Sequence, residues 1–247
     1  MKKTDRIWIY PLIVIGLVLI LPISCEKKEE SVDKIADADG NKYTTVKIGT
    51  RIWMAENLKT TKYSNGDLIG STNPATLDIS SESTPKYQWA YDGNESNATT
   101  YGRLYTWYVV TDSRNVCPTG WHVPADAEWT TLTDYLTDNN YGYGGNGDQI
   151  AKSLAATTDW SANETAGDAG NDLASNNSSG FTALPGGYRF AAGTFTNVGF
   201  YGIWWSATEY NAASVWSRTI TSYSSYVTRS NYSEKPYGFS VRCIKDN

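Results

Sequence analysis

Histidine occurs once in this chain and methionine twice, cysteine three times, and basic side chains are outnumbered, 21 Lys and Arg against 26 Asp and Glu. Each shortage excludes something. One histidine leaves little material for histidine-based catalysis or for a multi-histidine metal site. A net charge of −5 with scattered positive residues argues against a nucleic-acid binder, which needs a basic face to neutralise phosphates. What the chain has in quantity is aromatic: 10 Trp, 18 Tyr and 5 Phe among 247 residues, a length that suits one large domain or two small ones.

The N-terminus reads as an address. Lys2, Lys3 and Arg6 precede an apolar run from Ile7 to Ile23, broken by Pro11, Gly16 and Pro22, which is the layout of a secretory signal. The run is short of the roughly 20 residues that span a bilayer. Leu21-Pro22-Ile23-Ser24-Cys25 resembles a lipobox, in which the cysteine is lipidated, carries palmitate and becomes the new N-terminus; Pro22 stands where Leu is usual. Glu26-Lys27-Lys28-Glu29-Glu30 resembles the export tag of surface lipoproteins of some Gram-negative bacteria, and it also suits a solvated tether. The expectation is a signal peptide over 1–24, a tether over 25–35 and a single domain over 36–247, anchored by lipid at Cys25 to the outer membrane and exposed at the cell surface. Without residues 1–24, which hold three basic and one acidic side chain, 223 residues remain with 18 basic against 25 acidic ones, a net of −7. Such an acidic domain stays soluble and does not lie on anionic lipid.

Cys117 and Cys243 remain, and an even pair in an oxidising exterior reads as a disulfide. Neither sits in a Cys-x-x-Cys or beside a histidine, which disfavours a redox or copper-binding pair.

Tyr43 to Ile48 and Arg51 to Met54 alternate around Gly49-Thr50, the pattern of a tight hairpin. Asp37-Ala38-Asp39-Gly40-Asn41 begins like a calcium loop, but Lys42 and Ile48 stand where Gly and Glu are required, so a plain turn is expected. Ser64 to Thr100 reads as long loops with a short strand from Tyr87 to Tyr91. Gly102 to Val110 is a buried strand or a short helix, which periodicity does not separate. Trp129, Leu132 and Leu136 put one apolar stripe on a helix over Asp126–Leu136, and a second, shorter helix is expected from Asp148 to Leu154. The stretch from Tyr141 to Ser179 reads as functional loop. Strands are expected at Thr182–Leu184, Tyr188–Phe190, Trp204–Ala207, Val215–Ile220, Tyr226–Arg229 and Phe239–Ile244. A hairpin, then helices, then antiparallel strands make an α+β domain without a parallel core.

Six ordered motifs carry a resemblance: Ile52-Trp53-Met54-Ala55-Glu56-Asn57-Leu58, Gly102 to Trp107, Cys117-Pro118-Thr119-Gly120-Trp121-His122-Val123-Pro124 with Glu128-Trp129, Leu184 to Arg189, Trp204 to Glu209, and Tyr237 to Cys243. Together they resemble the Fibrobacter succinogenes major paralogous domain from about Ala36 to Lys245. Ala125 departs from the Ser that is frequent there, which removes a capping box with Glu128. More distantly, Val123-Pro124 with Glu128-Trp129 and the closing Gly238 to Arg242 resemble the formylglycine-generating enzyme group. That resemblance implies a C-type-lectin-like domain, with twisted antiparallel sheets, two flanking helices, long loops and one disulfide that brings Cys117 near Cys243.

No catalytic residue is expected. An oxidase of the formylglycine-generating kind needs a thiol pair, and both thiols are better explained as a bridge. His122 lacks an accompanying nucleophile motif and reads as a packed, hydrogen-bonded histidine. The Asp134/Asp138 and Asp168/Asp172 pairs are what any acidic loop surface supplies. Trp205-Ser206-Ala207 replaces the Trp-Asn-Asp strand of the lectin calcium site, so no metal or other cofactor is assigned, although a structural calcium in the loop from Asn146 to Asn177 stays open. The last third carries the binding expectation. Tyr210, Trp216, Tyr223, Tyr226, Arg229 and Tyr232 supply rigid rings with polar tips among Ser and Asn, the composition of a recognition surface for a glycan or a protein. A structural component of the envelope or fimbriae is the alternative.

Overall fold

The structure, a computed structural model, describes residues 35–247. The expected signal peptide, the lipid attachment at Cys25 and the tether up to residue 34 lie outside the described residues.

Strands β1 (Ile35–Ala36) and β2 (Lys42–Tyr43) pair around the Asp37–Asn41 turn. Asp37 closes that turn: Oδ1 accepts from the Asp39 and Asn41 amides at 2.9 and 3.0 Å, and Oδ2 accepts from the Tyr43 hydroxyl at 2.5 Å. The carboxylate is thus occupied by protein donors, as a plain turn requires. Next, β3 (Thr45–Ile48) and β4 (Arg51–Met54) form the expected hairpin, with Gly49 at φ +61° in its two-residue turn.

Between residues 64 and 100 lie β5 (Gln88–Trp89), where a short strand is expected, and a helix where loop is expected, α1 (Glu95–Tyr101). The helix holds a single buried residue, Ala98, so it shows no apolar stripe. Its sequence signal is Asn94, whose side chain caps the first turn by accepting from the Ser96 amide at 3.1 Å. The ambiguous run 102–110 turns out to be both alternatives in succession, β6 (Leu104–Tyr105) and α2 (Trp107–Val110). After β7 (Trp121–His122) comes α3 (Asp126–Asp138), which buries Trp129, Leu132 and Leu136 as expected. The second expected helix is only one turn long, α4 (Ala151–Leu154).

The remaining strands are β8 (Gly186–Arg189), β9 (Phe195–Val198), β10 (Tyr201–Glu209), β11 (Ser214–Thr221), β12 (Thr228–Glu234), β13 (Phe239–Ser240) and β14 (Ile244–Lys245). Three expectations need correction. The segment 182–184 makes only an isolated bridge, Ala183 to Ala155. Strand β9 is additional. The expected strand 239–244 divides, because Val241 and Cys243 give their carbonyls to the amides of Leu58 and Met54 and the chain passes from one sheet into another.

One eight-stranded sheet runs β12-β11-β10-β13-β6-β5, with β8 also against β10 and β9 against β8; a four-stranded sheet runs β3-β4-β14-β7. The large sheet is mixed, which corrects the expectation of purely antiparallel pairing. β8 meets β10 in parallel at Gly187 and Gly202, and β13 meets β10 in parallel at Ser240 and Trp204. The folding-back of β9 between β8 and β10 in the chain makes that parallel contact possible.

β10 separates two cores. Trp204 and Trp205 point to opposite faces and both are buried, Trp204 with Trp53, Trp129 and Phe181, Trp205 with Tyr105, Phe239 and the disulfide cysteines. The Cys117–Cys243 bridge forms as expected, and both sulfurs lie in the second core. Arg242, fully buried, binds the carbonyls of Met54, Phe181 and Thr182 and the Asn57 Oδ1, which also accepts from the Trp204 indole at 2.8 Å. That arginine ties together chain segments 185 residues apart in a low-dielectric interior, where buried carbonyls need donors. The architecture is α+β, mostly sheet with few helices and one disulfide.

Candidate ligand-binding surface

The six residues expected to bind ligand do not form one patch. Trp216, Tyr210 and Arg229 stack: Tyr210 meets the Trp216 ring edge-on at 5.1 Å, and the Arg229 guanidinium lies 3.8 Å over that ring. Arg229 is further held by Asp126, with Nη2 to Oδ2 at 2.6 Å and Nε to Oδ1 at 3.1 Å. Asp126 also accepts from the buried Arg218 at 2.7 Å. Burial would raise the Asp126 carboxyl, but the hydrogen bonds from Arg229 and Arg218 prevail and hold it below the usual carboxylate range. This group therefore fastens β11 and β12 to the start of α3, while Tyr210 is exposed, Trp216 is half-buried and Arg229 keeps half of its side chain open. Tyr232, 84% exposed, stands on the outermost strand. Tyr226 is exposed and accepts from Gln149 Nε2 at 3.3 Å.

Tyr223 belongs to something larger. Its ring meets Tyr201 at 5.9 Å, Tyr201 meets Tyr188 at 6.1 Å, Tyr188 meets Phe190 at 5.0 Å and Phe190 meets Tyr237 at 5.3 Å, each edge to face. Tyr223 is exposed, and the other four are half-buried. Phe239 supports Tyr188 and Tyr237 from below and is itself packed on Trp205 at 4.2 Å. The row thus lies on the Trp205 face of the large sheet, built by β8, β10 and the segments after β11 and β12. Its polar tips are partnered: the Tyr223 and Tyr201 hydroxyls bond to each other, Asn197 Nδ2 donates to the Tyr188 hydroxyl at 3.3 Å, and the Tyr237 hydroxyl donates to Glu234 at 3.2 Å. Hydrogen bonding to Tyr201, with a smaller effect of burial, pushes the Tyr223 phenol up to about 12, so at neutral pH it is a hydrogen-bonding group and not a charge. By alternation Thr219 and its register partner Thr228 face the same side as Tyr201 and extend the row with hydroxyls.

Sequence reasoning singled out Tyr223 and missed Tyr188, Phe190 and Tyr201, because strand aromatics look like core until the packing across them is known. The spacing of Tyr188 and Phe190, two apart in an extended segment, was the available signal that they share a face.

His122 Nδ1 lies 2.6 Å from Asp246 and Nε2 lies 2.9 Å from Glu128, so each ring nitrogen has its own carboxylate. Burial lowers its pKa, yet the hydrogen bonds to Asp246 and Glu128 raise it overall, and a bridged imidazolium is a strut between the C-terminus and α3. Within the loop 146–177 the buried Lys152 sends its ammonium to the carbonyls of Asn171 and Asp172, the latter at 3.2 Å. A cation is already supplied there by the chain. Among the described residues no group of three or more His, Cys, Asp or Glu side chains could hold a metal, and no helix is long and apolar enough to cross a membrane.

The profile of the Fibrobacter succinogenes major domain matches residues 46–245, from β3 to β14. The chain belongs to that family. The match takes in the four- and eight-stranded sheets but for Thr45, the aromatic row and nearly all of both cores, so these are parts of one Fibrobacter succinogenes major domain. No curated protein and no solved structure matches the chain.

Proposed function

We propose that this chain is a lipid-anchored surface domain of C-type-lectin-like design that binds a carbohydrate chain without chemical turnover. The observation that carries the reading is the continuous row Tyr223, Tyr201, Tyr188, Phe190 and Tyr237. Successive ring steps of 5.0–6.1 Å suit a polymer of sugar rings, whose C–H faces pack on aromatic rings while their hydroxyls bond to polar tips. Asn197, Glu234 and the threonines beside the row offer such tips. The absence of turnover is supported by the disulfide, which takes both described cysteines. Lipid attachment at Cys25 rests on the lipobox-like sequence, and the outer membrane on the acidic and lysine-rich tag after it.

Affinity electrophoresis in gels containing envelope or plant polysaccharides tests the reading. Retardation of the intact chain is expected, weakened about tenfold or more by Tyr188→Ala or Tyr237→Ala and kept by Tyr232→Ala. Retardation unchanged by the row substitutions, or none with any polysaccharide, would refute it.

A further inference from the structure

At the β5 end of the large sheet, opposite β12, a notch of about 300 Å³ opens between β5, the 71–75 loop and the start of α1. Its size is at the lower limit of small-molecule pockets, and no residue of the aromatic row lines it. Gln88, Trp89, Arg103 and Glu95 line it on one side, Thr72 and Asn73 on the other.

Two donors converge at its back. Arg103, buried, fixes its Nε on the Lys59 carbonyl at 3.0 Å and gives Nη1 to Gln88 Oε1 at 2.9 Å. That bond determines the orientation of the Gln88 amide, since the guanidinium can only donate. The Gln88 side chain is mostly enclosed, but its Nε2 is open to the notch and has no acceptor among the described residues. With Oε1 taken by Arg103, the amide N–H groups are the part of Gln88 left to donate to an oxygen that enters the notch. The outer side of the guanidinium shows which oxygen it accepts. Nη1 and Nη2 both bond to the Glu95 carboxylate, whose side chain is 71% exposed and reaches over from the mouth. A planar guanidinium recognises a carboxylate through two parallel N–H groups, and here that face holds only a surface side chain, which competes weakly.

We propose that this notch binds a small hydroxylated carboxylate of the size and charge of a uronic acid. Its carboxylate displaces Glu95 from Arg103 and accepts from Gln88 Nε2, and its hydroxyls meet Thr72 and Asn73. The site is independent of the aromatic row.

Calorimetric titration of the intact chain with glucuronate, and with glucose as the neutral counterpart, tests it. Saturable binding of glucuronate is expected, with glucose about tenfold weaker or worse because it lacks the charge-assisted pair. Glu95→Gln removes the competitor and should tighten glucuronate about two- to fivefold, while Gln88→Glu places a carboxylate in the notch and should abolish binding. The Tyr188→Ala chain should bind as the parent does, which separates this site from the row. Lack of saturable glucuronate binding by the parent and by Glu95→Gln, equal binding of glucose, or an unchanged affinity in Glu95→Gln would each overturn the proposal.

Discussion

Asp126 holds two arginines of different exposure, Arg218 at 2% and Arg229 at 50% of the side chain. The inner one decides its importance. Arg218 donates to Asp126 and to Thr130 at 3.0 Å, so an Asp126→Asn chain would leave a buried guanidinium without its counter-charge. A loss of about 3 kcal/mol is expected, readable as a lower urea midpoint at unchanged slope. Arg229→Ala removes a half-exposed partner and the cover of Trp216, and should cost clearly less. His122 behaves in the opposite sense with pH. Its folded pKa is raised, so its contribution is present in full below the unfolded value of about 6.5 and fades as pH rises through the folded value. The stability difference between the parent and His122→Gln, measured by urea titration, should therefore be larger at pH 6 than at pH 9. An equal difference at both would mean that the bridge to Asp246 and Glu128 carries no charge.

Helix α3 begins at Ala125, which has no side-chain acceptor for the first turn, while Glu128 already reaches back to the Ala125 amide at 2.9 Å. Half of a capping box is in place. Ala125→Ser supplies the other half at a residue already in extended conformation, φ −67° and ψ 161°, and should raise stability by about 1 kcal/mol, seen as a higher Tm. Elements were legible where their signals are local. The β3–β4 turn follows from Gly49-Thr50, and α3 follows from the 3.6-residue spacing of Trp129, Leu132 and Leu136. Helix α1 was not legible, since Asn94 to Tyr101 buries only Ala98 and a stripe cannot be read from one residue. Nor was the division of 239–244, because alternation continues across it while the pairing partners change from β6 and β10 to β4 and β7.

At the scale of the whole molecule, the disulfide ties positions 126 apart in the chain, Cys117 and Cys243. The chain-entropy model sets its upper contribution near ~5 kcal/mol. Replacing both cysteines by Ala should lower the unfolding free energy by up to that amount without changing the far-ultraviolet circular dichroism, and a loss below about 1 kcal/mol would show that the Trp205 core holds the two segments unaided. Both cysteines are fully buried, so a reductant should act on the folded chain slowly.

That two cysteines pair, that acidic charge prevails and that α3 has one apolar face follow from counting and from near neighbours in the chain. Which rings stay uncovered does not. Trp204, Trp205 and Tyr188 look alike in a strand, yet the first two are enclosed because α3, α2 and the disulfide lie across β10, while Tyr188 on β8 meets the rings of Phe190, Tyr201 and Phe239 and stays half-buried. Exposure is a property of what packs opposite, and here the opposite side comes from residues a hundred or more positions away. Packing alone therefore lined up Tyr223, Tyr201, Tyr188, Phe190 and Tyr237, and packing alone left the Gln88 amide facing a notch.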